Sequence, residues 1–296
     1  MAVQFWAQKT SERDAILFIL KQTTRRQPSF LFDQVGGTAV SRWDLAMPET
    51  INILWTGGWD SSFQLIRCFI HGTADIQPIY IVDESRQSTA MELLTMKRIK
   101  QALRAHLPTR ADSLLPVRFC AVSDLLSNQR ITSAYKRIHE HARIGVQYDW
   151  LARFCDQFGV SDLQLCIHKD DRAHNALQAL VEDRGVRGYR VSEKHVATDE
   201  YELFRFYSFP IFDMSKLEIH ECAKELGFNS IMNLTWFCQA PKNGRPCGKC
   251  LPCRFTVEEG LGWRVPYLRR LYGALLWTIL RPAKANLKNI PAWPMR

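Results

Sequence analysis

The sequence predicts an α/β protein built on a doubly wound parallel sheet, and three observations support this fold class. Short apolar runs of strand length alternate along the chain with segments of helical periodicity. The first of these runs passes through two glycines directly into the start of a helix. Four closely spaced cysteines follow the alternating region and indicate a small metal-binding element. Strands that are separated by helices favour a parallel sheet covered on both faces.

The first predicted strand, turn and helix lie within residues 51–69. Residues 51–54 have the apolar pattern of a buried strand, and Gly57 and Gly58 then turn the chain. Glycines let main-chain N–H groups approach a ligand, and a helix start adds about half a positive charge. The segment therefore predicts an anion site, and the alternative is an ordinary strand, turn and helix without a ligand. The apolar face of this helix is Phe63, Leu65, Ile66 and Phe69.

The side chains of the turn add polar groups to the predicted anion site. The hydroxyls of Thr56, Ser61 and Ser62 can donate hydrogen bonds. Asp60 would repel a bare phosphate. Its carboxylate fits a site in which Mg²⁺ accompanies the phosphates, or one in which it orients a neighbouring donor. The lysine of the ordinary P-loop is absent here, and the chain has no complete G-x-G-x-x-G motif.

Further elements continue the alternation. Asp83 ends the second predicted strand, and ligands of such sheets bind beyond the carboxyl ends of the strands. Asp83 is therefore a candidate for contact with a ribose or a metal, and its alternative role is a helix cap. The predicted strands cover residues 79–82, 116–122 and 163–167, and the predicted helices cover residues 91–107, 150–158 and 172–184.

A capping box marks the start of a later helix, predicted at residues 216–226. Ser215 and Glu218 have the spacing of this motif, and Gly227 ends the helix. Lys216 lacks such a structural explanation, because a cation in the first turn opposes the helix dipole unless an anion lies nearby. We expect Lys216 to contact a phosphate or a substrate carboxylate, and the alternative is an exposed lysine.

The four clustered cysteines have the pattern C-x8-C-x2-C-x2-C. Two-residue gaps let neighbouring thiolates point at one centre, and Gly248 permits the tight turn between them. Four thiolates fit a closed tetrahedral Zn²⁺ site of structural type, and an iron–sulfur cluster is the alternative. The ligands would be Cys238, Cys247, Cys250 and Cys253. The remaining cysteines are expected to be buried, unpaired small residues: Cys68, Cys120, Cys155, Cys166 and Cys222.

The composition limits the class of protein. The chain has 296 residues, and 46% of them are hydrophobic, which suffices for one sizeable core. Its net charge of +9 suits nucleotides, nucleic acid or an acidic protein as partners. The basic residues are dispersed and are not interleaved with aromatics, so we do not expect a nucleic-acid partner. We see no signal peptide and no long apolar segment, which predicts a soluble, cytoplasmic protein without membrane contact.

Three motifs, in this order, resemble the 7-cyano-7-deazaguanine synthase family. They are Gly-Gly-x-Asp-Ser at 57–61, Pro-Ile-x-Asp-x-Ser-Lys-x-Glu at 210–218 and Cys-x8-Cys-Gly-x-Cys-x2-Cys-Arg at 238–254. The first is similar to the pyrophosphate loop of the N-type ATP pyrophosphatases, Ser-Gly-Gly-x-Asp-Ser, with Thr56 in place of the first serine. The resemblance covers roughly residues 50–256.

The resemblance implies the HUP-like adenine nucleotide hydrolase fold and an ATP-dependent ligase that releases AMP and pyrophosphate. Members of the family adenylate the carboxylate of 7-carboxy-7-deazaguanine and use ammonia to form first the amide and then the nitrile. The implied cofactors are ATP, Mg²⁺ and Zn²⁺, with zinc at the four cysteines. The implied catalytic residues are Asp60 and Lys216. The implied nucleotide-binding residues are Trp55, Thr56, Gly57, Gly58, Asp60, Ser61, Ser62 and Asp83.

One segment departs from the family pattern. After the second strand the family usually has Tyr-Gly-Gln-x-His, whereas residues 84–88 here are Glu-Ser-Arg-Gln-Ser. We therefore expect differences in substrate handling or in the step to the nitrile. Relatives in bacterial antiviral operons join an activated deazaguanine carboxylate to a protein amine, and a diverged pocket fits that variant. The alternatives are a pyrophosphate-loop enzyme that modifies tRNA and a non-catalytic scaffold that has kept the nucleotide fold.

The predicted organisation has four parts. An N-terminal extension at 1–48 includes a helix at 11–23, and the pyrophosphatase domain covers 49–235. The zinc-binding element with the four cysteines covers 236–256, and a helical extension covers 257–296. Within this extension a helix at residues 267–280 predicts core packing, a homodimer contact or docking of a partner protein. Its apolar side is Leu268, Leu271, Tyr272, Leu275, Leu276 and Ile279, and its other side carries Arg269 and Arg270.

Overall fold

The computed structural model describes residues 50–286. The predicted N-terminal extension and its helix at 11–23 lie outside the described residues. The strands are β1 (Thr50–Leu54), β2 (Asp75–Val82), β3 (Arg118–Ala121), β4 (Leu163–Gln164), β5 (Val181–Asp183), β6 (Tyr189–Val191) and β7 (Tyr207–Ser208).

Five strands form one parallel sheet in the order β3-β2-β1-β4-β7, and β5 and β6 form a separate antiparallel pair. The α-helices are α1 (Trp59–His71), α2 (Thr89–His106), α3 (Gln129–Ala142), α4 (Gln147–Phe158), α5 (Arg172–Leu177), α6 (Asp199–Phe204), α7 (Lys216–Glu225), α8 (Asn229–Met232), α9 (Leu251–Thr256) and α10 (Tyr267–Asn286). Shorter helical turns lie at Pro108–Ser113, Val122–Asp124, Gly185–Arg187, Glu193–His195, Val257–Leu261 and Gly262–Arg264.

The parallel sheet is buried on both faces, which confirms the predicted fold class. Alternation along β2 shows the two faces: Ile79 and Ile81 belong to one core cluster, and Tyr80 and Val82 belong to the other. Helices α3, α4 and α6 contribute to the first cluster, and α1, α2 and α7 contribute to the second. A parallel sheet with two covered faces explains why its strands consist of apolar runs.

The order of the strands reverses between β1 and β4. The chain first proceeds from β1 through β2 to β3 on one side, and β4 and β7 then lie on the other side. Crevices for ligands open at such a switch point, beyond the carboxyl ends of the strands. The Gly57-Gly58 turn directly follows β1 and therefore lies at this position.

The predicted helix at residues 172–184 is wrong in its second half. Helix α5 ends at Leu177, and β5 then pairs with β6 in antiparallel register. Gly185 and Gly188 both have positive φ in the connection between these strands, a conformation that glycine tolerates. The segment after Leu177 forms a hairpin in place of the predicted helix, because pairing between the two strands outweighs the weak local preference of these residues for a helix.

Two further elements differ from the sequence-based prediction. The strand expected at 163–167 is a strand only over β4, because the chain bends beyond it and the N–H of Ile167 donates to the carbonyl of Leu165. Helix α3 was not predicted, although its signals are present. Asn128 caps it by accepting from two main-chain N–H groups, and its buried residues recur at helical spacing: Ile131, Ala134 and Ile138.

The predicted capping box of α7 is confirmed. The Ser215 hydroxyl accepts from the N–H of Glu218, and the Glu218 carboxylate accepts from the N–H of Ser215. Gly227, with φ of +79°, follows the last turn of the helix. The last described helix, α10, extends beyond its predicted end at residue 280. Among the helices of residues 50–286, none has both the length and the apolar character that a membrane crossing requires.

Replacing the cap should measurably destabilise the fold. We expect Ser215→Ala to lower the free energy of unfolding by about 1 kcal/mol, because the N–H of Glu218 loses its acceptor. Denaturant unfolding followed by circular dichroism measures this change. The matched control is Ser123→Ala, at an exposed serine that caps no helix by its side chain, for which we expect less than about 0.5 kcal/mol. Equal effects of the two substitutions would contradict a stabilising role of the cap.

Candidate functional site

The turn after β1 has a shape that requires glycine. Gly57 has φ of +71°, in the left-handed region. A Cβ atom at this position would lie 3.1 Å from Cγ2 of Thr95 and 3.3 Å from the main-chain oxygen of Glu92, both on α2. The Gly57 carbonyl accepts a 2.9 Å hydrogen bond from the N–H of Trp236. The turn therefore packs between α2 and the segment that leads into the cysteine cluster.

Helix α1 starts at this turn without a side-chain cap. Gly58 precedes the helix in an extended conformation, and within residues 50–286 no side chain caps the N–H groups of the first turn. These groups have no partner inside the helix, so they attract an anion together with the helix dipole. The local geometry fits the anion site that the sequence predicts, and occupancy by a nucleotide stays a prediction.

Two cavities meet at the turn. Thr56, Gly58, Asp60 and Arg86 line both of them. The first cavity has a volume of about 220 Å³ and lies at the carboxyl ends of β1, β2 and β4. Its apolar lining suits a flat ring such as a nucleobase. The apolar side chains are Leu54, Ile81, Trp150, Leu151, Leu165 and Ile167.

The second cavity lies between the turn and the cysteine cluster and has a volume of about 210 Å³. Its lining combines aromatic rings with charged groups, whereas the first cavity sets a group of mainly aliphatic side chains beside Asp60, Arg86 and Asp171. Two unlike cavities on either side of one anion site can hold two different substrates in contact with the same phosphates. The residues that distinguish the second cavity include Trp59, Lys216, Trp236, Phe237 and Arg264.

Four residues predicted to bind nucleotide line neither cavity: Trp55, Gly57, Ser62 and Asp83. Trp55 and Ser62 are fully buried, and the indole Nε1 of Trp55 donates a 2.9 Å hydrogen bond to the Ser62 hydroxyl. This pair braces the start of α1, and because Ser62 is fully buried its hydroxyl does not reach either cavity. Asp83 accepts from both the N–H and the hydroxyl of Ser85 in a local turn. It is not the helix cap given as its alternative, because α2 begins later with Ser88 at its N-cap.

An ion cluster connects the turn to α7. The ammonium Nζ of Lys216 lies 2.7 Å from Glu259 Oε2 and 3.8 Å from Asp60 Oδ2. The side chain of Lys216 is only 16% exposed, so the alternative of an exposed lysine is wrong. The anion that its place in the first turn of α7 requires is supplied by carboxylates of the chain itself. Asp60 thus orients a neighbouring donor, one of the two roles that the sequence suggested for it.

The chain holds this cluster together from two further directions. The main-chain N–H of Lys216 donates to the Asp170 carboxylate, which ties the start of α7 to the loop beyond β4. Glu259 lies at a kink after α9, where Gly260 has φ of +85°. A Cβ atom at Gly260 would lie 2.8 Å from Leu217, so glycine allows the kink to pack on α7.

His168 completes the surroundings of Asp60. Its Nε2 lies 3.7 Å from Asp60 Oδ2, and its ring is buried. The N–H of Asp170 donates to Nδ1 of His168, so the neutral ring carries its proton on Nε2, facing Asp60. Asp60 therefore has a hydrogen-bearing group on each side, while its Oδ1 is buried without a hydrogen-bond partner among the described residues.

The charges in the cluster control the protonation of Lys216. Burial alone would lower the pKa of Lys216, but the carboxylates of Asp60 and Glu259 outweigh it and raise the pKa above its usual value. Lys216 consequently stays a cation through the neutral and mildly alkaline range. A fixed cation beside an anion site can neutralise a phosphate or a carboxylate.

The segment that departs from the family pattern contributes directly to the second cavity. Arg86 and Ser88 line it together with Glu92 of α2. The Glu92 carboxylate is buried and accepts from the hydroxyls of Ser88 at 2.6 Å and Tyr80 at 2.8 Å. Burial and the neighbouring Glu92 both raise the pKa of Tyr80, so this phenol remains a donor. The diverged segment at 84–88 therefore contributes Ser88, whose hydroxyl donates to the buried Glu92 carboxylate in the wall of the second cavity.

The four clustered cysteines converge as predicted. Their sulfur atoms all lie within 4.8 Å of one another, and two of the separations are 3.9 Å. A tetrahedral ion with metal–sulfur distances of ~2.3 Å has sulfur–sulfur edges of about 3.8 Å. Main-chain N–H groups donate to three of the sulfurs, as in sites that hold thiolates. The donor set fits a metal ion held by Cys238, Cys247, Cys250 and Cys253.

The other five cysteines are free thiols, as expected. Cys120 and Cys155 are buried, and burial raises the pKa of the Cys120 thiol to about 11. Burial also raises the pKa of the partly buried Cys68 to about 11 and that of Cys155 to about 12. Thiols with such a pKa are poor nucleophiles at neutral pH, so none of these three is suited to covalent catalysis.

Helix α10 packs on the cysteine cluster through its small and basic residues. A Cβ atom at Gly273 would lie 1.9 Å from the carbonyl oxygen of Gly248, so the helix and the loop touch along their backbones. Arg269 donates to the carbonyls of Lys242, Arg245 and Pro246. The helix thus closes one side of the metal-binding loop.

This arrangement corrects one interpretation of α10. Its apolar side faces away from the protein: Leu268 is 78% exposed and Leu275 is 63% exposed. Core packing of this side is therefore wrong, because the contact with the loop uses the opposite side of the helix. A homodimer contact and docking of a partner protein stay predictions.

Sequence reasoning missed several residues of the site. His168 and Arg86 follow β4 and β2, so their position beyond strand ends was the available signal. Glu259 and Arg264 follow the last cysteine, where no motif marked them. Their proximity to the turn arises only from folding of the segment after the cluster back onto α7.

Comparison with known proteins gives a family match over part of the chain and a distant likeness to solved structures. Residues 193–261 match the model of the family described as "Queuosine biosynthesis protein QueC". This match confirms the predicted resemblance for a segment that includes Lys216, the cysteine cluster and Glu259, and it covers well under half of the chain. A search among curated proteins finds no match.

Among solved structures, the chain is similar to one titled "Crystal structure of a 4-thiouridine synthetase - RNA complex with bound ATP". The TM-score is 0.30 and the sequence identity 17%, over 76% of this chain and 53% of that chain. This chain thus spans about half the length of that structure. A likeness this distant carries no weight for the site, which stands on its own geometry.

Removing one cysteine ligand should release the metal. We expect Cys253→Ala to reduce bound metal from about one ion per chain to near zero, because a tetrahedral site loses a quarter of its ligands. The melting temperature should fall on the order of 5–10 °C. Elemental analysis by mass spectrometry, with a thermal melt, measures both effects and identifies zinc or iron. The control is Cys222→Ala, a free thiol outside the cluster, which should keep the ion. Full metal content in Cys253→Ala would contradict the assignment.

Proposed function

We propose that the protein is an ATP-dependent ligase that adenylates the carboxylate of a deazapurine, 7-carboxy-7-deazaguanine, and transfers it to an amine. The observation that carries this proposal is the placement of one glycine turn and helix start between two unlike cavities, with Asp60 and Lys216 at their junction. The family match over residues 193–261 supports the substrate class.

The geometry suits nucleophilic attack by a carboxylate on the α-phosphorus of ATP. The nucleobase occupies the first cavity against its apolar side chains, and the outer phosphates lie on the N–H groups at Gly58 and the start of α1. The acid occupies the second cavity. One carboxylate oxygen forms a bond to the α-phosphorus, and the bond from the α-phosphorus to the bridging oxygen breaks. Pyrophosphate leaves with that electron pair, and the acyl adenylate remains.

An amine then attacks the carbonyl carbon of the adenylate. The carbon–nitrogen bond forms, the bond from carbon to the AMP oxygen breaks, and AMP leaves with the electron pair while the nitrogen loses a proton to solvent. Attachment to AMP is needed because hydroxide is a poor leaving group. Lys216 stabilises negative charge at the junction as a permanent cation, and the chain needs no side-chain nucleophile.

Two metals belong to this proposal in different roles. The four thiolates fit zinc in a closed structural site, where it stabilises the loop and α10. Asp60 Oδ1 is a buried carboxylate oxygen without a hydrogen-bond partner among the described residues, which fits it to hold a Mg²⁺ that arrives with ATP. When bound, Mg²⁺ neutralises phosphate charge, and the chain itself supplies the amides and the fixed cation.

The acceptor amine is either ammonia, which leads to the amide and nitrile, or an amine of a partner protein. The departure at residues 84–88, which places Arg86 and Ser88 in the second cavity, supports altered handling of the acid or the acceptor. The exposed apolar side of α10 supports a protein partner or a second copy. The antiviral setting of some relatives is consistent with a protein acceptor.

Product analysis tests the reaction. We expect AMP and pyrophosphate when the purified protein is incubated with ATP, Mg²⁺ and 7-carboxy-7-deazaguanine, and neither product without the acid. Mass spectrometry with and without ammonium identifies the amide or nitrile, and intact-mass analysis of a candidate partner protein identifies a protein acceptor.

The substitution Asp60→Asn should reduce the rate of AMP formation about 100-fold or more. It removes the negative charge beside Lys216, and it removes the carboxylate that would hold Mg²⁺.

The control for Asp60→Asn is Asp75→Asn, at an exposed carboxylate at the amino end of β2, which should keep full activity. Release of ADP in place of AMP would contradict adenylation. AMP formation that depends on tRNA and not on the acid would support the alternative of a tRNA-modifying enzyme, for which the net charge of +9 is suited.

The pH dependence of the reaction reports the charge of Lys216. Asp60 and Glu259 raise the pKa of Lys216, so its contribution is present at neutral pH and is lost only as pH rises through that raised pKa. In Glu259→Gln one carboxylate is gone and burial lowers the pKa, so the alkaline fall of kcat should move down by about one pH unit or more.

The pH–rate profile of kcat measures this shift. The matched control is Glu258→Gln, at the preceding residue, whose carboxylate pairs with Arg254 and lies 49% exposed. We expect its profile to match that of the wild type. An alkaline limb that does not move in Glu259→Gln would show that Lys216 does not carry the charge on which turnover depends.

A further inference from the structure

Arg264 is held in the second cavity by two aromatic rings and one polar residue. Its guanidinium carbon lies 4.6 Å from the centre of the Trp59 ring and 4.9 Å from the centre of the Phe237 ring. Its Nη2 donates to the carbonyl oxygen of Thr235 at 2.7 Å and to the hydroxyl of the same residue at 2.6 Å. The two rings and the two hydrogen bonds together orient the guanidinium plane of Arg264, and these hydrogen bonds use only Nη2.

The charge of Arg264 has no salt bridge among the described residues. Burial is the main influence on it and lowers the pKa of its guanidinium to about 10, with Asp60 acting in the opposite direction. A cation removed from water without a paired anion is costly, and cation–π contacts offset only part of this cost. An oriented, unpaired guanidinium that lines a cavity is the arrangement expected of a group that receives an anion from a ligand.

The other residues that line the second cavity indicate which kind of ligand fits it. Trp59 and Phe237 present rings beside Arg264, and the Nε1 of Trp59 has no hydrogen-bond partner among the described residues. Glu92 adds a buried carboxylate whose oxygens retain free lone pairs for N–H donors. Aromatic walls and an acceptor fit a flat ring that bears N–H groups.

We propose that Arg264 anchors the acid group of the second substrate, and that this cavity selects flat, N–H-bearing heteroaromatic acids. The inference deepens the proposed function and rests on it for the identity of the acid. Arg264 follows the matched family segment, which ends at residue 261. Arg264 holds the acid within reach of the phosphates while Lys216 remains at the junction.

Binding measurements separate Arg264 from the rest of the site. Isothermal titration of the full-length protein uses three probes: 7-carboxy-7-deazaguanine, the simpler acid indole-3-carboxylate, and a non-hydrolysable ATP analogue. We expect Arg264→Gln to weaken binding of both acids about 10- to 100-fold, the loss typical of a charge-assisted hydrogen bond pair, and to change binding of the ATP analogue less than about twofold. Arg264→Lys, which keeps the charge but not the fork, should fall between Gln and wild type.

Steady-state kinetics provide a second readout. The KM for the acid should rise by a similar factor in Arg264→Gln, while the KM for ATP stays within about twofold. The matched control is Arg205→Gln, which removes another arginine stacked on a ring, here Phe206, but one that pairs with Asp156 and Glu202 away from both cavities. Circular dichroism and metal content confirm that each variant is folded.

The outcomes distinguish this inference from the proposed function. Unchanged acid binding in a folded Arg264→Gln overturns the inference even if the wild type makes AMP. A selective loss of affinity for the ATP analogue assigns Arg264 to the phosphates and also overturns it. Binding of neither acid by the wild-type protein overturns it as well. Acid binding that depends on Arg264 but supports no cleavage of ATP would sustain the inference and contradict the adenylation reaction.

Discussion

The left-handed turn at Gly57 is the constraint on which the site depends. Its conformation and the close approach of Thr95 exclude a side chain, and its carbonyl is bonded to the N–H of Trp236. One residue thus connects the central strand, α2 and the segment before the cysteine cluster. Because α1 starts directly after the turn, any shift there would move the exposed amides and both cavities together.

The charges around the turn are arranged in pairs with one exception. Lys216 is neutralised by Asp60 and Glu259, and Glu92 is satisfied by two hydroxyls. Such pairing offsets the free-energy cost of burying these charges when no ligand is bound. Arg264 has rings and a threonine around it and forms no salt bridge with the residues of 50–286, so this part of the wall of the second cavity carries an unpaired positive charge. This asymmetry gives the second cavity a preferred ligand charge.

The cysteine cluster acts on the site through the chain on either side of it. The segment before it provides Trp236 and Phe237, and the segment after it provides Glu259 and Arg264. Backbone contact between Gly248 and Gly273 fixes α10 against the metal-binding loop. A metal ion held by the four sulfurs would therefore stabilise two walls of the second cavity.

Local patterns were sufficient for much of this protein. The fold class, the glycine turn, the capping box of α7 and the cysteine ligands all followed from the sequence, because each depends on residues close together in the chain. The hairpin of β5 and β6 was missed, since strand pairing overrides weak helical preference. The orientation of α10 was also missed, because its apolar side alone does not tell which side packs on the loop.

The tertiary structure alone decided which charges meet. Asp60, His168, Lys216, Glu259 and Arg264 are far apart in the chain, and only the switch in strand order and the return of the chain after the cysteines bring them to one place. Sequence spacing predicts the chemistry of single motifs, because local geometry controls them. It does not predict ion pairs between motifs, because these depend on packing over the whole core.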